Sequence, residues 1–201
     1  MIFKYIYMYC NGTVNENGSF NHSGDKFVEI HQFDNKLCNG LINFFKNVNA
    51  SSIVDLGCGD GSYVKKLNDA GLVCEGYDGN PNSIKETNGL CKIIDLSKLF
   101  TLEKKPEWIL SLEVGEHIPK KYEKIFIENI NNNNTKGVVI SWALPNQGGL
   151  GHFNEQPNDY IKSLFHNLDY INDTESENIL RQNVQYDYFS RTVMVFKRKN
   201  L

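Results

Sequence analysis

The sequence has no excess of positive charge and no long apolar run, and each absence excludes a class of partner. Its 201 residues include 21 Lys or Arg and 24 Asp or Glu, which gives a formal net charge of -3 and a pI of about 6.0. Proteins that bind nucleic-acid backbones usually present a basic face, so the slightly negative net charge argues against nucleic acid as the partner. The apolar stretch at residues 1–10 is too short to span a bilayer, and we predict no membrane segment.

The sequence also lacks paired cysteines. Its five cysteines are odd in number and scattered, and none forms a Cys-x-x-Cys pair, so we predict reduced thiols in a cytoplasmic protein. Glu113, Glu116, His117 and His152 are residue types that bind metals, but their spacing matches no metal motif, and we predict no metal site. Nothing in the sequence indicates an oligomeric state.

The N-terminal part of the chain differs in character from the rest. Residues 11–26 are polar and rich in turn-forming residues, which predicts a loop or a flexible arm. Apolar residues then recur at helical spacing from Asp34 to Val48, and Asp34 stands where it would cap that helix. We therefore divide the chain into an arm at 1–33 and one main domain at 34–201.

Beyond residue 50, predicted strands alternate with predicted helices. The strands cover 52–57, 72–78, 91–94, 107–113 and 137–143, with a closing pair that includes 192–196. The helices cover 61–69, 81–88, 119–130 and 157–168. This alternation predicts an α/β fold: a doubly wound, mostly parallel, seven-stranded sheet with helices on both faces. The asparagine run 131–134 is predicted to be a solvated turn.

The stretch Asp55-Leu-Gly-Cys-Gly-Asp-Gly61 follows the first predicted strand and holds three glycines at alternate positions. A Walker loop would continue with Lys-Ser or Lys-Thr, but Ser62-Tyr63 follows here. In a dinucleotide fold, Asp60 would set a negative charge against the pyrophosphate. A nucleoside ligand without phosphate, carrying positive charge near the loop, removes that conflict.

The stretch from Val54 to Gly61 resembles the first motif of the class I S-adenosylmethionine-dependent methyltransferases. The resemblance implies a Rossmann-like methyltransferase fold, S-adenosylmethionine as the cofactor and S-adenosylhomocysteine as the product. It also implies a set of cofactor-binding residues: Asp55, Gly57, Cys58, Gly59, Gly61, Asp78, Gly79, Asp95, Leu96 and Glu113. Within this set Asp78 would accept the ribose hydroxyls, a device that NAD enzymes share. Asp95 would lie near the adenine, with a turn cap as its alternative role.

The chemistry is predicted to follow the fourth strand, in the stretch from Glu113 to Pro119. Its Glu-His pattern resembles O-methyltransferases that act on quinone precursors, and it departs from the Asn/Asp-Pro-Pro pattern of base-amino methyltransferases. We predict that His117 is the general base, since a histidine near its ordinary pKa is the usual agent for removing a hydroxyl proton. Glu116 would support an imidazole, and His152 would orient the acceptor or substitute as the base. Alternatively, His117 only caps or packs at the strand end.

The predicted activity is methyl transfer to a hydroxyl of a small polar acceptor, a sugar or a glycan. Residues 151–158 resemble a loop of methyltransferase domains linked to sugar modification, and His152, Asn154 and Gln156 would bind the acceptor there. Residues 11–33 and 144–157 are expected to close over the cofactor and build the acceptor site. The alternatives are methylation of another small molecule, RNA or protein, and a module that binds the cofactor without catalysis.

Overall fold

The structure is a computed structural model that describes residues 14–29 and 31–199. The strands are β1 (Ile53–Leu56), β2 (Cys74–Asp78), β3 (Cys91–Ile93), β4 (Trp108–Ser111), β5 (Gly137–Ile140), β6 (Tyr170–Asn172) and β7 (Met194–Arg198). The helices are α1 (Asp25–Glu29), α2 (Asn35–Asn47), α3 (Ser62–Asp69), α4 (Ser83–Glu86), α5 (Glu123–Asn132), α6 (Asn158–His166), α7 (Thr174–Gln182) and α8 (Phe189–Thr192). A short 3-10 turn, Lys120–Tyr122, precedes α5.

The seven strands form one sheet in the order β3-β2-β1-β4-β5-β7-β6. β1 to β5 run parallel, whereas β7 is antiparallel to both β5 and β6. The strand order reverses between β1 and β4, which is the place where open α/β sheets bind their ligands. The predicted mostly parallel, seven-stranded, doubly wound α/β sheet is confirmed.

Alternating side chains of the buried strands supply two separate cores. Ile109 and Val138 pack with α5 and α6 on one face of the sheet. Their chain neighbours Leu110 and Val139 pack with α2, α3 and α7 on the other. Because side chains alternate along a strand, apolar residues at consecutive positions serve both faces. This is the physical reason that the strands are continuously apolar and helices cover both sides.

Asp34 begins α2 in the way that the sequence predicts. Its side chain accepts a hydrogen bond from the backbone N–H of Leu37 at 2.8 Å. Its second carboxylate oxygen accepts from the backbone N–H groups of Gln185 and Tyr186, at 2.6 and 2.9 Å. Asp34 is fully buried, so it both caps α2 and joins it to the segment before α8.

Some predicted elements differ from the structure. The strands are shorter than predicted, and helix 81–88 is reduced to Ser83–Glu86. α7 was not predicted at all, and the closing strand begins at Met194 because residues 189–192 form α8. Residues 14–24 are irregular as expected, with one antiparallel bridge between Val14 and Phe20. The arm prediction for 1–13 lies outside the described residues.

The prediction that 131–134 is a solvated turn is wrong. Residues up to 132 belong to α5, and Asn133 and Asn134 are buried. Asn133 accepts from the backbone N–H of Leu102 at 2.8 Å and donates to the carbonyl of Phe100 at 3.1 Å. Asn134 donates to the hydroxyl of Tyr170 at 2.7 Å. Asn133 thus satisfies backbone groups of the link between β3 and β4, and Asn134 satisfies the Tyr170 hydroxyl and the carbonyl of Ile130, which explains their burial.

Candidate active site

The carboxyl ends of β1, β2, β3 and β4 open into one cavity of about 560 Å³. Its wall contains the loop after β1, the ends of the next three strands, and three covering segments. The covering segments are 17–20 and 31–33 of the arm and, in the loop after β5, 147–150 with His152; Phe153 to Gln156 lie outside the wall. This volume lies in the range that is usual for pockets that bind a small molecule or a cofactor.

At Gly57 and Gly59, in the loop after β1, both the backbone conformation and the surrounding atoms exclude a side chain. Gly57 and Gly59 have φ of 83° and 54°, a region that costs other residues energy. A Cβ atom on Gly57 would lie 2.4 Å from Cγ2 of Val114, and one on Gly59 would lie 2.3 Å from Cδ2 of His31. Gly57, Cys58 and Gly59 all line the cavity, so the loop forms a close-fitting floor.

Gly61 has a different place from the other glycines of the motif. It lies outside the cavity wall and precedes α3 with φ of 76°. A Cβ atom there would lie 2.8 Å from the Cys91 sulfur. The structure therefore assigns Gly61 to the packing of α3 against β3, and its contact with the cofactor stays a prediction.

Two carboxyl groups border the glycine loop, the buried Asp55 and the partly buried Asp78. Asp78 accepts hydrogen bonds from the backbone N–H of Gly59 at 2.9 Å and of Asn80 at 2.8 Å, and burial raises its pKa. Burial, followed by the charges of Asp78 and Asp60, raises the pKa of Asp55 to about 8. Both groups line the cavity together with Gly79. In both groups burial is the main cause of the raised pKa, because it disfavours the charged form.

Asp95 and Leu96 line the cavity beyond β3. Burial acts to raise the pKa of Asp95, but hydrogen bonds from Ser97, Asn17 and Lys98 lower it below its usual value. The Ser97 backbone N–H and hydroxyl donate to it at 3.0 and 2.6 Å. Asp95 thus caps the turn and also lines the cavity, and its place near the adenine stays a prediction.

The segment 14–24, here called the strap, crosses both ends of the cavity. At one end Asn17 donates to Asp95 at 2.9 Å. At the other, the ring of Phe20 meets the His117 ring edge-on, with centroids 5.0 Å apart. The carbonyl of His22 accepts from Asn80 at 3.0 Å. These contacts place the strap beside the cavity, and its part in the acceptor site stays a prediction.

Glu113 connects the wall to the loop after β5. It has φ of 52°, uncommon for a residue with a side chain. Its carboxylate accepts from Gln147 at 2.9 Å and from Thr192 at 3.2 Å. Burial raises its pKa, and those hydrogen bonds oppose the rise. Glu113 lines the cavity, but both of its carboxylate oxygens already accept hydrogen bonds from other side chains of the protein.

His117 and His152 meet at the polar end of the cavity. Their ring centroids are 5.0 Å apart, with the rings edge-on. His117 Nδ1 lies 3.1 Å from the carbonyl oxygen of Gly151, and His152 Nδ1 lies 3.0 Å from Oε1 of Glu155. Burial, followed by the charge of His152, lowers the pKa of His117 to about 3. The expectation that His117 titrates in the ordinary histidine range is therefore wrong.

Glu116 is fully buried behind this pair and is not part of the cavity wall. Burial, followed by the charge of Glu113, raises its pKa well above the usual value. One of its carboxylate oxygens and one ring nitrogen each of His117 and His152 lie within 4.8 Å of one another. The structure thus brings together the three residues that were predicted to do the chemistry.

Asn154 and Gln156 do not contact the cavity, contrary to their predicted role with the acceptor. Asn154 is buried and donates to Glu123 of α5 at 2.9 Å, and Gln156 donates to Asn154 at 2.7 Å. The Trp142 indole N–H donates to the Asn154 carbonyl at 2.6 Å. These bonds fasten the loop after β5 to the core, so only its first half faces the site.

Comparison with known proteins decides the family. Residues 30–175 match the family described as methyltransferase domain. The chain belongs to this methyltransferase family. No curated protein matches the sequence.

Solved structures of methyltransferases share the fold. Magnesium protoporphyrin IX methyltransferase (ChlM) from Synechocystis PCC 6803 with bound S-adenosylmethionine aligns over 89% of this chain and 86% of that chain, at 14% identity and a TM-score of 0.61. TehB from Haemophilus influenzae aligns over 81% and 62%, at 16% identity and a TM-score of 0.59. The small RNA methyltransferase HEN1 aligns over 82% of this chain but only 25% of that chain, at 15% identity and a TM-score of 0.62. At these identities the likeness shows the fold alone.

As a member of this methyltransferase family the chain uses S-adenosylmethionine and releases S-adenosylhomocysteine. The cavity fits that cofactor, because its wall contains five carboxylate residues and no Lys or Arg among the described residues. Such a wall suits a cationic ligand and opposes a phosphate. The glycine floor and Asp78 would hold the adenosine part, with Asp55 near the charged part. The sulfonium of the bound cofactor supplies an activated methyl group.

Some wall residues had no signal in the sequence. Tyr188 and Phe189 enter from α8, and Tyr63 enters from α3. Tyr188 precedes a strand near the end of the chain, where no motif marks it. No described helix of this methyltransferase is both long and apolar enough to cross a membrane.

Proposed function

We propose that this methyltransferase transfers its methyl group to a hydroxyl of a small polar acceptor, a sugar or the end of a glycan. The observation that carries the proposal is the polar end of the cavity, where His117 and His152 enter from two different loops and meet with ring centroids 5.0 Å apart. A hydroxyl requires a polar partner to orient it and to help its proton leave. Two imidazoles at this place provide such partners.

The size and lining of the cavity favour a small acceptor. Its volume of about 560 Å³ has to receive both the cofactor and the reacting end of the acceptor. The rings of Phe20, Phe33 and Tyr188 contribute to the wall, and Gln147 adds a polar group. Aromatic faces beside polar groups suit a molecule such as a sugar, which has apolar C–H faces and hydroxyl edges.

The arrangement of the cavity would promote methyl transfer by aligning the acceptor with the cofactor. The strand ends and the covering loops would hold the acceptor oxygen in line with the methyl–sulfur bond, an effect that contributes roughly 7–11 kcal/mol in favourable cases. An oxygen lone pair forms the new O–CH₃ bond, the electrons of the S–CH₃ bond return to sulfur, and the hydroxyl proton passes to solvent. Because the pKa of His117 is lowered to about 3, its imidazole is neutral at pH 7 and its lone pair is available.

An acceptor screen tests the proposal. Purified protein and S-adenosylmethionine are incubated with sugars and nucleotide sugars, with phenols, and with ribonucleosides and short RNA, and S-adenosylhomocysteine formation is measured. We expect turnover with the sugar set and a methyl ether in the product. Turnover confined to RNA or to phenols would overturn the acceptor class, and a methylated amine product would overturn O-methylation.

Variants then connect turnover to the polar end. His117→Ala and His152→Ala should bind S-adenosylhomocysteine within about twofold of the parent, yet lose roughly 10²- to 10⁴-fold in turnover. His166→Ala, an exposed position in the last turn of α6, is the matched control and should leave turnover unchanged. Full turnover in both cavity variants would contradict the proposal.

A further inference from the structure

The polar end of the cavity contains three side chains of the types that bind metal ions. One carboxylate oxygen of Glu116 and one ring nitrogen each of His117 and His152 lie within 4.8 Å of one another. Three atoms that are about 4.8 Å apart lie about 2.8 Å from the point equidistant from them, whereas metal–ligand bonds are about 2.0–2.2 Å long. A closing movement of roughly 0.6–0.8 Å by each side chain is therefore enough for all three to reach one ion.

The state of Glu116 is the second, independent observation. The residue has no exposed surface, and neither carboxylate oxygen has a hydrogen-bond partner of normal geometry among residues 14–29 and 31–199. A buried carboxylate without such a partner is costly to maintain. The neighbouring carboxyl group of Glu113 adds to the cost, because its charge and its hydrogen bond to Glu116 both raise the pKa of Glu116, and the backbone N–H of Ala143 opposes that rise only in part. A bound cation would offset this cost through one Glu116 oxygen.

In each of the two imidazoles, one ring nitrogen lies within hydrogen-bond distance of an acceptor oxygen, as is usual for histidines that bind metals. Nδ1 of His117 lies 3.1 Å from the carbonyl oxygen of Gly151, and Nδ1 of His152 lies 3.0 Å from the carboxylate of Glu155. Both partners are acceptors, so each Nδ1 is the protonated nitrogen and the lone pair is on Nε2. An acceptor behind the ring is the usual support for a metal-binding histidine.

We propose that Glu116, His117 and His152 bind one divalent first-row transition-metal cation. Two imidazole nitrogens and one carboxylate oxygen form a mixed ligand set, which suits Mn²⁺ or Zn²⁺ better than Mg²⁺, an ion that prefers oxygen ligands. Three protein ligands leave a coordination position open, and both histidines line the cavity. The open position would therefore face the acceptor.

The role of the ion rests on the proposed function. An ion at this place would bind the acceptor hydroxyl oxygen and make its proton easier to lose. The proton would pass to solvent, the oxygen would form the bond to the methyl carbon, and the S–CH₃ electron pair would return to sulfur. This assigns the activation of the hydroxyl to the cation and makes the histidines its ligands.

Metal binding by the full chain tests the site without any acceptor. The protein is stripped with a chelator and titrated calorimetrically with Mn²⁺, Zn²⁺ and Mg²⁺ in separate experiments. We expect one Mn²⁺ or Zn²⁺ per chain, with Mg²⁺ at least tenfold weaker. Glu116→Gln should weaken binding at least tenfold, and Glu155→Gln, which acts through His152, should weaken it by roughly 10- to 100-fold. Absence of saturable binding of Mn²⁺ and of Zn²⁺ would overturn the site.

Controls separate this site from other binding. Glu175→Gln, at an exposed position in the first turn of α7, should bind the ions like the parent. Each variant is also titrated with S-adenosylhomocysteine, which should bind equally if the fold is intact. Metal binding that survives Glu116→Gln unchanged would place the ion elsewhere, for example at the buried cysteines, and would overturn the proposal.

Activity distinguishes this inference from the proposed function. With an acceptor from the screen, chelation should abolish turnover and Mn²⁺ or Zn²⁺ should restore it. Equal turnover in chelator and in Mn²⁺ would overturn the role of the ion in transfer. One-to-one metal binding without turnover on any hydroxyl acceptor would support the site and count against the proposed function alone.

Discussion

Replacing Gly59 by alanine places a methyl group where the structure has no room for one. The new Cβ would lie 2.3 Å from Cδ2 and 2.8 Å from Nε2 of the His31 ring, an overlap of a kind that costs about 1–3 kcal/mol. The backbone conformation, at φ of 54°, adds about 1–2 kcal/mol for alanine. The unliganded loop can relax, but the cofactor needs it in place. We therefore expect at least about 30-fold weaker binding of S-adenosylhomocysteine, the equivalent of roughly 2 kcal/mol.

Calorimetry on a set of matched variants checks this reasoning. Gly71→Ala is the control, because Gly71 has φ of 84° and nothing within 4 Å of the added Cβ; it should lower Tm and leave cofactor affinity unchanged. Gly59→Ala combined with His31→Ala removes the overlap, so binding should recover relative to the single glycine variant. Unchanged affinity in Gly59→Ala would refute the steric argument. Equal affinity in the single and double variants would show that only the backbone conformation matters.

Three further predictions concern stability. Asp34→Ala removes three hydrogen bonds from backbone N–H groups to a buried carboxylate and should lower the free energy of unfolding by about 3–5 kcal/mol in urea denaturation, with less than 1 kcal/mol contradicting it. Gly115→Ala would set a Cβ 2.1 Å from the ring of buried Trp142, so Tm should drop by several degrees, and an unchanged Tm would be the contrary result. The pKa of Asp173 is lowered because hydrogen bonds from Lys197 and Ser176 outweigh the effect of burial, so its contribution to stability is present at pH 7 and is lost as the pH falls below about 4. Denaturation at pH 7 and pH 3 should therefore show that Asp173→Asn is destabilising only at pH 7, and an equal effect at both would contradict the sign.

The parts of the fold that the sequence predicts are those with strong local signals. The glycine loop, the acidic end of β2 and the cap at Asp34 each carry their chemistry within a few consecutive residues. Alternation of apolar strands with amphipathic helices gave the correct fold class. α7 was missed because among its residues only Leu180 and Glu177 are buried, so it shows little apolar periodicity, although Asp173 caps it.

The parts that the sequence does not predict depend on tertiary contact. Asn133 and Asn134 look like a polar turn, but Asn133 satisfies backbone groups of the distant residues Phe100 and Leu102, and Asn134 bonds to the hydroxyl of Tyr170. Similarly, nothing in the spacing of Glu116 and His117 indicates that His152 joins them. His152 reaches the other two residues because the loop after β5 folds back onto the segment that contains them. There the backbone N–H of Phe153 donates to the Glu116 carbonyl at 2.8 Å.

The strap has a consequence for the kinetics of the protein. It contacts Asp95 at one end of the cavity and His117 at the other, so under the proposed function one segment would cover two ligands that enter and leave separately. If it opens as a unit, exchange of the spent cofactor and release of the methylated product become a single event. Turnover would then be limited by a hinge, and the enzyme would respond to whatever holds or displaces that one segment.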